Sequence, residues 1–255
     1  GCMLKKTDIP PLSKERRQYL KKQKQRKRHI LYWQIGILVV FIAAWEIAAR
    51  VGLIDSFILS QPTRILRTYF NMAQNDLLMH MGVTIYETLV GFLLGAALGT
   101  LLAIVLWWSA FVSKVSEPYL VVLNSLPKIA LGPVIIILVG AGTKAIIFMA
   151  LAISLIVTVL EMLAGFRATN PESIKMARTF GATKRQVFTK IVFPSNINTL
   201  FNSLKINIGL SLVGVIAGEF LVSKAGLGYL IVYGGQVFQL DLVMSSVLIL
   251  SVMAA

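Results

Sequence analysis

Apolar runs long enough to cross a lipid bilayer leave this 255-residue chain few folds to choose from. Several exceed the roughly 18–20 residues that span a membrane as a helix. Charged residues make up only 14% of the chain, against about 25% in soluble domains. The runs are continuous rather than alternating in polarity, which argues against a membrane barrel. The expected fold class is all-α, a polytopic membrane protein with about six transmembrane helices.

The six spans are drawn at residues 30–49, 83–108, 119–140, 144–165, 196–222 and from 240 to the chain end. The last falls short of the ~20 residues a span needs, so the natural chain is expected to run on past Ala255. Gly1 and Cys2 precede Met3 and read as foreign to the natural start. Cys2 is the only cysteine, so no disulfide forms within the chain. The first span carries Trp33, Trp45 and Glu46 and lacks a small-residue cleavage site, so it reads as an anchor rather than a signal peptide. Two domains are expected: a basic cytoplasmic tail over 1–29 and a membrane domain over 30–255, with a cytoplasmic loop at 166–195.

A net charge of +14 raises the question of nucleic acid. Its distribution points to membrane topology instead. Lys14, Arg16, Arg17, Lys21, Lys22, Lys24, Arg26, Lys27 and Arg28 crowd just before the first span. Arg167, Lys175, Arg178, Lys184, Arg185 and Lys190 fill the interruption between the fourth and fifth. Basic residues mark cytoplasmic segments and anionic-lipid contact. With the N terminus inside, both clusters fall on the cytoplasmic side. The outer links are leaner, with Arg50, Arg64 and Arg67 partly matched by Asp55 and Asp76. The 51–82 link holds an amphipathic pattern after Pro62 (Ile65, Leu66, Tyr69, Phe70) that reads as an interfacial helix. Gly91, Gly95 and Gly99 share one helix face, where small residues let a second helix approach closely.

The 166–195 loop carries the densest local signals. Asn170 suits an N-cap, Pro171 the first helical position, and Glu172 the positive helix end. Ile174, Ala177 and Phe180 give a short apolar stripe, and Gly181 follows where a helix end needs a left-handed residue. Thr183 with Gln186 fits a capping box for a second helix. Val187, Phe188, Ile191 and Val192 form its apolar face, and Pro194 is expected to stop it. Helix, sharp turn, helix: the residues alone fit either an ordinary hairpin or a docking element.

Segment 175–194 resembles the signature loop of binding-protein-dependent ABC importer permeases, whose pattern is Glu-Ala-Ala, three residues, Gly, nine residues, Ile, one residue, Leu-Pro. Ala177, Gly181, Ile191 and Pro194 stand at matching positions, and Phe193 replaces the Leu. Lys175 and Met176 depart from the Glu and the first Ala, and Lys175 reverses a charge. Asn124-Ser125-Leu126-Pro127-Lys128, Gly140 with Gly142, Ala217-Gly218-Glu219-Phe220 and Gly226-Leu227-Gly228 resemble the nitrate, sulfonate and taurine type.

The resemblance implies a type I importer permease working as a homodimer, with two cytoplasmic ABC ATPase subunits and an extracytoplasmic solute-binding protein. ATP and Mg would be bound by the ATPase; no cofactor or metal is expected in this chain, which lacks a phosphate-cradling loop. The ATPase-coupling residues would be Lys175, Ala177, Arg178, Phe180, Gly181, Ala182, Ile191 and Pro194. Ionisable residues inside spans are default candidates for the solute pathway. Lys128, roughly 14 Å into the third span at helical rise, and Lys205 in the fifth would suit an anion such as a sulfonate, taurine or nitrate. Alternatively each snorkels or pairs with Glu161 or Glu219. Asn124, Ser125 and Glu219 complete the candidates, while Pro127 and Pro133 read as kinks.

Relatives of this type also carry vitamin precursors and other heterocyclic nutrients, which leaves a second substrate reading open. An intramembrane enzyme would need a catalytic constellation, yet His29 and His80 are the only histidines and fall on opposite sides of the membrane. A membrane scaffold would show no solute-stimulated ATPase activity.

Overall fold

The computed structural model describes residues 14–74 and 76–254. The start of the basic tail, including Cys2, lies outside the described residues. The chain divides into two units, Gly1–Arg64 and Ile65–Ala255.

In the first unit, α1 (Lys14–Arg50) runs as one helix from the basic tail through the apolar span, with no break near residue 29. At ~1.5 Å per residue a helix of this length far exceeds the hydrocarbon core. Its apolar side chains face outward, as they do on a lipid-facing helix. Glu46 closes its end, accepting from Arg50 Nε at 2.8 Å and from Thr63 Oγ1 at 3.0 Å.

The second unit takes in the remainder of α2 (Pro62–Gln74), then α3 (Leu77–Trp108), α4 (Ala110–Ser125), α5 (Gly132–Val139) and α6 (Thr143–Ala168). It continues through α7 (Pro171–Thr179), α8 (Lys184–Val187) and α9 (Phe193–Ser195) to α10 (Ile197–Val222), α11 (Leu227–Gln236) and α12 (Leu240–Ala254). Among the described residues four helices, α1, α3, α6 and α10, are long and apolar enough to cross a membrane. The α12 helix is apolar but shorter.

The core of this unit is α3, α6 and α10. Gly91, Gly95 and Gly99 of α3 meet Ala150, Ser154 and Thr158 of α6 in register, so these helices run parallel. Added Cβ atoms at Gly91 and Gly99 would lie 2.6 Å from Ala150 Cβ and Thr158 Cβ. The small-residue face is a packing seam, as its spacing suggested. Helix α10 runs the other way against α6, with Gly214 against Ala150 and Gly218 against Ile146.

The expected third span is not one helix. The chain bends by 88° between α4 and the segment Lys128–Val139, whose first residues, Lys128–Leu131, form a tight 3-10 turn. Pro127 sits at the corner, and Leu126 before it is extended, the conformation a following proline favours. Pro133 falls in the first turn of α5, where its missing N–H costs nothing. Pro118 lies inside α4, which continues through it. Lys128 therefore sits just past a corner, and its depth cannot be counted along a straight helix from residue 119.

Candidate functional site

The capping signals in the 166–195 loop have their structural counterparts. Asn170 Oδ1 accepts from Glu172 N–H at 2.9 Å and caps α7. At the other end Ala182 N–H donates to Ala177 carbonyl at 3.0 Å, and Gly181 N–H to Arg178 carbonyl at 2.9 Å. This pair of bonds is the Schellman arrangement, and it holds Gly181 at φ 79°, where a Cβ would be strained. Thr183 and Gln186 form the capping box that opens α8.

Pro194 does not stop the second helix. Residues Phe188–Val192 form a wide π turn, with Phe193 N–H donating to Phe188 carbonyl five residues back. That extra residue places Pro194 in the first turn of α9, where proline is tolerated, and Phe193 stays helical. Asn196 Nδ2 then donates to Val192 carbonyl and to Thr169 Oγ1, both at 2.8 Å, stitching the two ends of the loop together.

The π turn aims Phe188 into the bundle. Its ring lies 5.0 Å from that of Trp107 at the end of α3, 5.5 Å from Phe166 of α6, and 5.9 Å from Phe193. Val187, Phe188 and Val192 are buried with Ala103, Leu106, Met162 and Phe166 in one apolar cluster. Lys184 covers it, its ammonium 5.6 Å above the Trp107 ring and bonded to the Trp108 carbonyl. Beside it Arg167 donates to Ser113 Oγ at 2.6 Å and lies 3.5 Å from Glu117. The aromatic plug was missed in the sequence; adjacent Trp107 and Trp108 at a span end, opposite a loop phenylalanine, were the available signal.

The outward side is different. Phe180, expected in the packed stripe with Ile174 and Ala177, is instead 83% exposed, and Met176 beside it 60%. The Schellman turn carries Phe180 off the face on which Ile174 and Ala177 pack. Phe180 borders a cleft of about 330 Å³ with Ala177, Gly181, Ala182, Gln186 and Lys190. Lys175, Arg178 and Pro194 are exposed and Ile191 is half-buried. Of the coupling candidates, Ala177, Phe180, Gly181, Ala182 and Ile191 line this one cleft, whereas Lys175, Arg178 and Pro194 do not. Among the described residues Lys175 makes no ion pair, and its carbonyl accepts from Thr179 Oγ1 at 3.0 Å.

The pathway candidates do not converge. Asn124, Ser125 and Lys128 sit together at the α4 corner, where Lys128 Nζ donates to the Asn124 carbonyl at 2.8 Å and Ser125 Oγ to the Val121 carbonyl at 2.9 Å. Lys205 is exposed on α10. Neither lysine pairs with Glu161 or Glu219. The nearby groove, about 740 Å³ between Ile129, Pro133, Ile216, Phe220 and Leu250, is almost wholly apolar.

Glu219 is buried instead at the junction of α3, α10 and α11. It accepts from Thr84 Oγ1 and from Gly228 N–H, each at 2.6 Å. Leu227 N–H donates to Thr84 Oγ1 at 2.9 Å, and Gly226 N–H to His80 Nδ1 at 3.0 Å. Side chains of two other helices thus supply acceptors to the free N–H groups that open α11. An added Cβ at Gly226 or Gly228 would strike the Glu219 carboxyl. The glycine pair cradles a carboxylate of its own chain, and His80 is occupied with the same task. Among the described residues no group of three or more His, Cys, Asp or Glu is placed to hold a metal.

Residues 91–255 match the family described as binding-protein-dependent transport system inner membrane component. A permease protein assigned to aliphatic sulfonate transport in Bacillus subtilis is 25% identical over 98% of this chain and 91% of its own length. The formylaminopyrimidine transport permease protein of Halalkalibacterium halodurans is 27% identical over 75% of this chain and 76% of its own length. The taurine transport system permease protein of Escherichia coli is 23% identical, covering 86% of this chain and 82% of its own length.

Proposed function

Because the chain belongs to the binding-protein-dependent transport system inner membrane components, we propose that it forms the membrane pathway of an ABC importer for a small aliphatic sulfonate, taurine or a similar anion. Two copies line the pathway, the N terminus faces the cytoplasm, and an extracytoplasmic binding protein delivers the solute. Two cytoplasmic ATPase subunits bind ATP and Mg and grip α7. The observation that carries this reading is the two-sided loop: Phe180 and Met176 bare on one side, Phe188 plugged between α3 and α6 on the other. Force applied at Phe180 crosses the capped turn at Gly181 and reaches the ends of two spans. Nucleotide-driven closure of the ATPase pair would then bias a two-state equilibrium between inward- and outward-facing arrangements.

A heterocyclic nutrient is the second reading. The apolar lining of the groove between Ile129 and Leu250 favours it, as does similarity to the formylaminopyrimidine permease. The ligand held by the cognate binding protein separates the two.

The test of the coupling assignment is Phe180→Asp in a reconstituted complex with ATPase and binding protein. Phe180 is 83% exposed, so the variant is expected to insert and melt like wild type while losing most solute-stimulated ATPase activity. Full stimulation in that variant would overturn the assignment.

A further inference from the structure

Glu87 lies on α3 three residues beyond Thr84, on the same helix face, and is completely buried. Its carboxyl faces that of Glu219 and the Thr143 hydroxyl. Yet neither of its oxygens has a well-formed hydrogen bond, although the Thr143 hydroxyl lies beside it. Both oxygens of Glu219, by contrast, are supplied, one by Thr84 and the other by Gly228 N–H.

The other groups around the pair are accounted for. On α3, His80 Nδ1 is taken by the Gly226 N–H. On α11, Tyr229 stacks against His80 with ring centroids 6.0 Å apart. On α6, Thr143 contributes only a hydroxyl. Among the described residues no lysine or arginine pairs with either acid.

Two ionised carboxyls side by side, out of water and without a cation, repel each other and lose their hydration, and such pairs do not both ionise. A single proton removes the conflict by turning an acceptor facing an acceptor into a donor facing an acceptor. Its position follows from the neighbours. Glu219 sits at the N-terminal end of α11 and accepts from two donors that favour negative charge, whereas Glu87 has only the Thr143 hydroxyl beside it.

We propose that Glu87 and Glu219 hold one proton between them, with the Glu87 hydroxyl donating to the Glu219 carboxylate, and that this pair positions α11 against α3 and α10. Glu87 completes the set of side chains that receive α11, acting through Glu219. The proposal does not depend on which solute is carried.

Infrared spectroscopy of the purified full-length protein at neutral pH tests it. The carbonyl stretch of a buried, protonated carboxylic acid is expected in wild type, absent in Glu87→Gln and retained in Glu161→Gln. Thermal unfolding supplies the second readout. Glu87→Gln keeps an N–H donor toward Glu219 and is expected to melt within about 3 °C of wild type, whereas Glu87→Ala falls by about 5–10 °C. A wild-type spectrum without a band that Glu87→Gln removes would overturn the shared proton. Equal loss of melting temperature in the Gln and Ala variants would overturn the donor role.

Discussion

The Phe188 ring lies 5.0 Å from the Trp107 ring, which joins the 166–195 loop to the end of α3. Phe166 and Phe193 complete the contact, so one side chain touches three elements. A loop held this way moves with the spans rather than independently of them.

Truncating that side chain should therefore cost both stability and coupling. Phe188→Ala is expected to destabilise the protein by about 3–5 kcal/mol, as large-to-small changes in packed cores do. Thermal unfolding in detergent reads the first effect. Loss of solute-stimulated ATPase activity, with ATPase binding retained, reads the second. Phe188→Leu, which keeps most of the apolar volume, should fall between.

The seam between α3 and α6 makes a sharper steric prediction. A methyl at Gly95 would collide with Ser154 Oγ, whereas one at Gly209 of α10 meets nothing within 4 Å. Gly95→Ala is expected to cost about 1–3 kcal/mol through overpacking. Gly209→Ala should be neutral or gain up to about 1 kcal/mol from helix propensity. Melting temperatures of the two variants, measured side by side, check the contrast. Equal values would show that the helices separate easily.

Much of the loop was legible because its signals are local. Asn170, Gly181, Thr183 and Gln186 act within three or four residues of themselves, so their caps could be read without knowing the fold. The departures arose where a neighbour decides. Pro194 is a helix stop by its own chemistry, but a π turn upstream moves it to a position that accepts proline. Pro127 and Pro118 look alike in sequence; one turns the chain by 88° and the other rides inside α4. Lys128 and Lys205 were grouped by charge and depth, and the corner at Pro127 removes the straight helix on which that depth was counted. Glu219 read as one more polar residue in a span. Its cradle depends on Thr84 and Gly228, which only the packing of α3, α10 and α11 brings together.

The two lysines still permit a direct test of an anionic solute. Lys128→Ala and Lys205→Ala are each expected to assemble normally, since both contribute little packing. If the carried solute is an anion that meets them, half-saturating concentrations of binding-protein-loaded solute should rise several-fold in transport assays. Unchanged kinetics in both variants would leave the lysines as solvated surface and favour the heterocyclic reading.

The glycine seam also limits how the machine can bend. With Gly91, Gly95 and Gly99 closed on Ala150, Ser154 and Thr158, neither helix has room to ratchet past the other. The bundle of α3, α6 and α10 then behaves as a stiff lever rather than a set of sliding rods. If the chain lines a solute path as proposed, its reshaping would come from swinging that lever whole, or from flexing at the elbow at Pro127, where α4 and α5 part company.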